Sequence, residues 1–431
     1  MAGVSGSAPA VTVRIVAVGD ELLEGRTSDT NSTRIQRALG SHAVAVRDIA
    51  VVHDRLGDVA AALDRTRPGD IVFVCGGLGS TGDDITREAI AAWADVALEW
   101  RQDVAERLAA EYARRGIVRS LEGDKQPLLP AGCEPVDNPL GTAPGLVGEL
   151  RGRRVAVLPG VPQELEAMLP GTLAALQRQG ALPTARPTRL WRLAQMAELA
   201  VAHLTEPVRE RYRDLHWSWW LVDWGVDLRL GAGPDRADEL EAAAAELDAL
   251  LDDLVYAREM IDLPRVVQDH MLVRGTTLAV AESCTGGMVG AAITGQDGSS
   301  GYFRGGVVSY ADRIKVDRAG VDPATLAAHG AVSRPVAEEM AQGVRARFGA
   351  DYALAVTGIA GPGGGTPDKP VGTTWIALAG SDALVAGRYR FSGDRERNRR
   401  LATMAALDMV RRALVGAPIV DADRLTWGVP E

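Results

Sequence analysis

At 431 residues the chain is too long for one ordinary core, and with 46% apolar and 24% charged residues it has the balance of packed domains, not of a disordered or fibrous chain. A net charge of −10 opposes general attraction to a nucleic-acid backbone, and no apolar run is long enough to span a bilayer. Cys75, Cys133 and Cys284 show no CxxC spacing, so neither a disulfide framework nor a zinc site is expected.

Met1 to Ala10 lack the basic start and apolar core of a signal peptide, which predicts a short disordered tail and a cytoplasmic protein. From Val11 onward, strand-length apolar runs alternate with amphipathic stretches. Val11 to Val18, Ala43 to Val52 and Ile71 to Cys75 read as strands, and Ser32 to Leu39 and Leu56 to Arg65 as helices. This is the pattern of crossover units with helices on both faces of a sheet. Turn-rich segments follow the strands: GDELLEG (19–25), GGLGSTGDDIT (76–86), GTAPG (141–145) and PGVPQE (159–164). In open α/β sheets the ligand crevice lies at the carboxyl ends of the strands, so these loops are expected to converge.

In GGLGSTGDDIT a glycine loop precedes a helix, which suits phosphate, and Asp83 and Asp84 can hold a divalent cation; the alternative is that Asp83 caps the helix. Asp20 and Glu21 point toward the same crevice as further ligands or a base, or else solvate a turn. After the link 178–187 comes a Trp-rich strand pattern, with Trp217 and Trp219 on one face and Trp220 and Trp224 on the other, and a helix over Ala237 to Val255. Acidic neighbours, among them Asp223 and Asp227, favour core or subunit packing of these rings over base stacking.

The third region predicts strands at Thr277 to Ala281, Val307 to Tyr310, Tyr352 to Val356, Thr373 to Leu378 and Leu384 to Phe391, then a long helix from Arg395 to Leu414. AESCTGG (281–287) places Ser283 between a strand and a helix, with the N–H groups of Cys284, Thr285, Gly286 and Gly287 directed at an oxyanion. Ser283 is thus either a nucleophile or a helix cap. No histidine accompanies the glycine-rich loops, so Lys315, at the end of YADRIK (310–315), is the candidate base; the alternative is a surface lysine. A lysine acts as a base only where its surroundings lower its pKa from about 10.4 toward neutrality. The loop TGIAGPGGG (357–365), with Thr357, Gly358, Ala360, Gly361 and Pro362, can cradle a phosphate or form a plain hairpin loop. Arg395 in FSGDRERNR (391–399) sits at a helix start where it can clamp an anion, while Arg397, Arg399 and Arg400 read as a solvated face.

AESCTGG, GGVVSYADRIK, GAVS, TGIAGPGGG with KPVGTTW, and FSGDR, in this order, resemble the C-terminal domain of the competence/damage-inducible protein CinA family over residues 263–416. The resemblance implies a Ser283/Lys315 pair that removes the amide nitrogen of nicotinamide mononucleotide, with Tyr310 and Arg395 holding substrate and stabilising the transition state, and with no cofactor. The earlier loops resemble the molybdopterin-binding fold that begins such proteins. That implies a nucleotide ligand, ADP-ribose in some members, held by Gly19, Asp20, Glu21, Gly76, Gly77, Gly79, Thr81, Lys125, Gly141, Thr142, Pro159 and Gly160. Metal-dependent diphosphate cleavage would then use Asp83, Asp84 and Glu164. Ser80 stands where the family has proline, and Gly123 and Pro127 where it has asparagine and alanine.

The expected architecture is α/β throughout: a three-layer molybdopterin-binding-like domain (11–177), a small α+β middle domain (188–260) and an α/β CinA-type amidohydrolase domain (263–416). A homodimer with small nucleotides as partners, and neither membrane nor nucleic acid, is expected. Competing classes are a pyrophosphatase whose C-terminal region is structural, and a binding protein associated with competence or DNA repair.

Overall fold

A computed structural model describes residues 11–42, 44–116, 124–222, 224–381 and 383–419. The expected tail, Ala43, Gly123 and Asp223 lie outside the described residues. The chain forms two compact units, Met1–Arg186 and Pro187–Glu431.

In the first unit β1 (Val11–Val18) leads through α1 (Asp20–Leu23) and α2 (Asn31–Leu39) to β2 (Val44–Val52), and α3 (Leu56–Asp64) leads to β3 (Ile71–Cys75). Then follow α4 (Thr86–Ala94), β4 (Leu98–Trp100), α5 (Gln102–Arg114), β5 (Leu128–Pro130), β6 (Cys133–Val136), β7 (Gly145–Leu150), β8 (Arg153–Leu158) and α6 (Pro162–Arg178). β4 pairs only with β5; the others form a six-stranded sheet in the order β2-β1-β3-β8-β7-β6. The first four strands of that order are parallel, and β7 and β6 are antiparallel additions. Side chains alternate across the sheet. Val13, Ile15, Ile71 and Phe73 pack on α2 and α6, whereas Val16, Val18, Val72 and Val74 pack on α3 and α4. β3, buried on both faces, is accordingly an unbroken apolar run.

The second unit opens with β9 (Thr188–Ala194), α7 (Glu198–Arg211), β10 (His216–Val222), β11 (Gly225–Gly231), α8 (Ala237–Leu251) and β12 (Val255–Ala257), whose strands form an antiparallel sheet in the order β10-β11-β9-β12. The helix expected through Val255 stops at Leu251. Its last turn tightens over Asp252–Leu254, and Val255–Ala257 pairs with β9, so strand pairing overrides helix propensity there. Trp217 and Trp219 stack at 6.0 Å on one face of β10, and Trp220 lies against the Arg229 guanidinium; Trp224 falls beyond the strand.

A second sheet follows: α9 (Leu263–Arg274), β13 (Leu278–Glu282), α10 (Met288–Thr294), β14 (Phe303–Val308), α11 (Asp312–Ala319), α12 (Pro323–His329), α13 (Arg334–Phe348), β15 (Tyr352–Gly358), β16 (Thr373–Ala379), β17 (Leu384–Arg390) and α14 (Arg395–Val415). The strand order is β14-β13-β15-β16-β17, the first three parallel and the last two antiparallel. One face carries alanines (Ala279, Ala281, Ala353, Ala355, Ala377) under α13, and the other carries larger residues (Leu278, Val280, Leu354, Val356, Ile376) under α9 and α14. Alternation of small and large residues therefore sets how closely each helix layer sits.

β14 lies earlier than the expected Val307 to Tyr310. Arg304, Gly305 and Gly306 weaken its strand signal, yet Gly306 is needed there: a Cβ would lie 2.3 Å from the Val280 side chain and 2.7 Å from its carbonyl oxygen. Among the described residues no helix is long and apolar enough to cross a membrane.

Candidate functional site

β13 lies between β14 and β15, so the strand order reverses at β13, the topological point at which open α/β sheets place ligands beyond the carboxyl ends of their strands. Ser283 follows β13 directly, and its N–H donates to Val356 O at 2.9 Å. It is not a helix cap. α10 begins only at Met288, preceded by Gly287 in the left-handed region, and residues 284–287 form a turn.

The N–H groups expected to face an oxyanion are divided. Gly286 donates to Ser283 O at 3.1 Å, and Gly287 donates to the Glu282 carboxylate at 2.9 Å. Those of Cys284 and Thr285 are directed at the Cys284 sulfur and at no oxygen, so the expected set of four does not converge on one point. Cys284 is buried, and burial pushes its thiol up to about 11, which leaves an inert sulfur beside the hydroxyl.

Lys315 is 1% exposed, not a surface residue. α11 starts just after β14 and aims its amine back at the strand end. There Nζ donates to Ser309 O at 2.9 Å, Tyr310 O at 3.3 Å and the Asp312 carboxylate at 3.4 Å. No hydrogen bond joins Lys315 to Ser283 among the described residues. Ser283 follows β13 and the Lys315 amine reaches back from α11 to the end of neighbouring β14, where Ser309 links the two, its N–H donating to Glu282 O at 2.7 Å.

Tyr310 is 59% exposed, and its Oη accepts from Arg395 at 2.7 Å; Arg395 also donates to Gly361 O at 2.7 Å. These hydrogen bonds bring Tyr310, Arg395 and the glycine loop together. Asp394 caps α14 by accepting from the Arg397 N–H. One turn on, Asn398 donates to Ala360 O at 3.1 Å. Arg399 is not part of a solvated face: it donates to Cys284 O at 3.1 Å and Thr285 O at 2.8 Å, while Arg397 and Arg400 are exposed. Thr357 is buried and donates to Ala331 O at 2.8 Å; Gly358 ends β15, and Gly361–Pro362 is a cis peptide. Glu282 and Arg399 escaped the sequence reading. The available signals were an acid closing an apolar strand and an arginine four residues after Arg395 on the same helical face.

The first unit holds a cleft of about 870 Å³ at the ends of β1 and β3, where the strand order again reverses. The loop after β1 contributes Gly19 and Glu21; the loop after β3 contributes Gly76, Gly77, Gly79, Thr81, Asp83 and Asp84. Thr142, Pro159, Gly160 and Glu164 complete the expected lining. Gly76, at φ +111°, admits no side chain, since a Cβ would lie 2.1 Å from Val18 O. Asp20, Lys125 and Gly141 do not line the cleft. Asp20 bonds His53 at 2.7 Å, which holds its carboxyl below the usual range. Lys125 donates to Asp84 O and pairs with Glu88, and the Gly141 N–H donates to Asn138.

The expected metal ligands Asp83, Asp84 and Glu164 are not assembled. Asp84 uses both oxygens on the Gly79 N–H (2.7 Å), the Thr81 N–H (2.9 Å) and the Thr81 hydroxyl (2.5 Å); Glu164 accepts from Asn138 at 2.7 Å. Asp83 is exposed and does not cap α4, whose cap position is Ile85. Among the described residues no group of three His, Cys, Asp or Glu side chains is placed to hold a metal ion. The present donor set therefore does not fit a divalent cation, because its central carboxylate already serves the loop.

A family model described as "CinA C-terminal domain" matches residues 261–414, and one described as "Probable molybdopterin binding domain" matches residues 14–178. CinA-like proteins of Gemmatimonas aurantiaca and of an Anaeromyxobacter species are each 38% identical over 414 residues. They cover 93% of this chain and 96% and 99% of their own lengths. A crystal structure of the competence/damage inducible protein CihA from Agrobacterium tumefaciens is 39% identical, covering 36% of this chain and 93% of that one at a TM-score of 0.35.

Proposed function

The chain belongs to the CinA-like proteins, and from that premise we propose that it hydrolyses the carboxamide of nicotinamide mononucleotide to nicotinate mononucleotide and ammonia. The observation that carries this reading is a buried lysine amine on the strand end adjacent to that of Ser283, with Ser309 as the link between them. The Lys315 amine gives one proton to solvent, releases one of its three acceptors and turns its free lone pair to Ser283. Ser283 Oγ then attacks the carboxamide carbon as its proton passes to that amine. The developing oxyanion is received by the N–H groups of Cys284 and Thr285. Lys315 returns the proton to the departing nitrogen, the C–N bond breaks, and ammonia leaves. Water attacks the acyl-enzyme, giving one proton back through Lys315 to Ser283 and releasing the carboxylate. Arg395, Tyr310 and the 358–365 loop receive the phosphate end of the substrate. The second proton of that water leaves to solvent as the product acid ionises.

Ammonia release from the mononucleotide tests the reading. Ser283→Ala should lower turnover on the order of 10³-fold or more. Turnover unchanged by the substitution removes Ser283 as nucleophile.

The cleft of about 870 Å³ in the first unit supports a second reading, that it binds a nucleotide such as ADP-ribose without a preassembled metal. Calorimetric titration with ADP-ribose should show saturable heat with and without magnesium. No heat in either condition, or AMP release that needs the metal, contradicts that reading.

A further inference from the structure

We propose that Glu282 is a positioning residue for hydrolysis at Ser283, an internal anion that sets the nucleophile turn with its side chain and the base with its main chain. The inference rests on Ser283 being the nucleophile and not on the identity of the substrate.

Glu282 closes the apolar strand LAVAE and is 2% exposed, and no Lys, Arg or His pairs with it among the described residues. A buried carboxylate without a cation is costly unless its oxygens are fully hydrogen-bonded. Here they are: Oε2 accepts the N–H groups of Gly287 at 2.9 Å and Val289 at 3.0 Å, and Oε1 accepts that of Gly290 at 2.8 Å. These donors belong to the end of the turn and the first turn of α10, where N–H groups have no partner within the helix. The carboxylate occupies the place an external anion would otherwise take. Substrate phosphate is thereby excluded from α10, and of the four N–H groups in the turn those of Gly286 and Gly287 are committed to oxygens of the chain, whereas those of Cys284 and Thr285 face only the weakly accepting Cys284 sulfur and can turn to a developing oxyanion.

A second observation bears on the same turn. While Glu282 takes N–H groups, Arg399 takes carbonyls, those of Cys284 and Thr285. An anion on the donors and a cation on the acceptors restrict residues 284–287 to one arrangement. The Glu282 main chain extends this to the base, because its carbonyl accepts Ser309 N–H at 2.7 Å and the Ser309 carbonyl accepts Lys315 Nζ at 2.9 Å. Nucleophile and base are thus referenced to one residue.

The test uses the full chain as Glu282→Gln and Glu282→Asp, the first replacing one acceptor oxygen with a donor, the second keeping the charge with a shorter reach. Each is assayed for ammonia release from nicotinamide mononucleotide and for covalent labelling of Ser283 by a fluorophosphonate probe, with a thermal melt as a folding control. The expected result is a fall of roughly 10²-fold in kcat with KM within about threefold, and a matching slowing of labelling. If Glu282→Gln does not fold, Glu282→Asp carries the same expectation. A folded variant with wild-type kcat and labelling rate overturns the proposal, as does a loss confined to KM. If the wild type labels at Ser283 yet releases no ammonia from the mononucleotide, the substrate reading fails, and slowed labelling in the variants still supports Glu282. A wild type that neither labels nor turns over overturns both.

Discussion

Asp351 joins the starts of two parallel strands with a single side chain. Its carboxylate accepts the Thr277 N–H at 2.8 Å and hydroxyl at 2.7 Å, while its own N–H donates to that hydroxyl oxygen at 3.0 Å. The Thr277 side-chain hydrogen bond, with the backbone one, holds the carboxyl below its usual value of 3.8. A depressed folded-state value means the contribution is present above about pH 3.8 and is lost as pH falls through the lowered value. Asp351→Asn should therefore unfold at lower urea than wild type at pH 6, with the gap closing as the pH is taken below 3.8. A gap that stays constant with pH contradicts the pinning role. The residue scale is also where the sequence reading was least complete. That Ser283, Tyr310 and Arg395 lie beside element ends was legible, because strand and helix signals stop next to each. The three acceptors of Lys315 and the bracing role of Asp84 were not, since a hydrogen-bond partner leaves no local pattern.

Among elements, the parallel strands were the most legible, since burial on both faces demands continuous apolar runs such as Ile71–Cys75. β14 was misplaced because its glycines serve close contact with Val280 and not strand propensity. α8 was drawn too long because Val255 could continue a helix and instead pairs with β9. α14 was read correctly in extent, yet its role was underestimated. Along its first turns Arg395, Asn398 and Arg399 reach Gly361 O, Ala360 O and the carbonyls of Cys284 and Thr285. One helix start thus braces both the glycine loop and the nucleophile turn.

At the scale of the whole molecule, the middle sheet and the C-terminal sheet fall in one compact unit. Fully buried Asp408 accepts from Arg411 at 2.6 Å, Arg412 at 2.8 Å and Gln195 at 3.1 Å; the two arginines continue to Asp253, through its carbonyl and its carboxylate. Asp408→Ala leaves two buried guanidinium groups without their shared carboxylate. It should destabilise the second unit by about 3–5 kcal/mol in chemical denaturation, because an uncompensated buried charge costs more than the pair contributes. A loss under about 1 kcal/mol would mean the network is relaxed by solvent. The first unit should keep its own midpoint.

Periodicity and punctuation along the chain sufficed for the α/β class, the first parallel strands, the long C-terminal helix, the glycine loops at strand ends and the position of Ser283, because each is written within a window of neighbouring residues. The polar partnerships were decided in three dimensions: Glu282 on the first N–H groups of α10, Arg399 on a carbonyl 115 residues away, Asp84 on its own loop and Asp408 between two sheets. A buried polar group must find a partner wherever packing brings one, and no local pattern states where that will be.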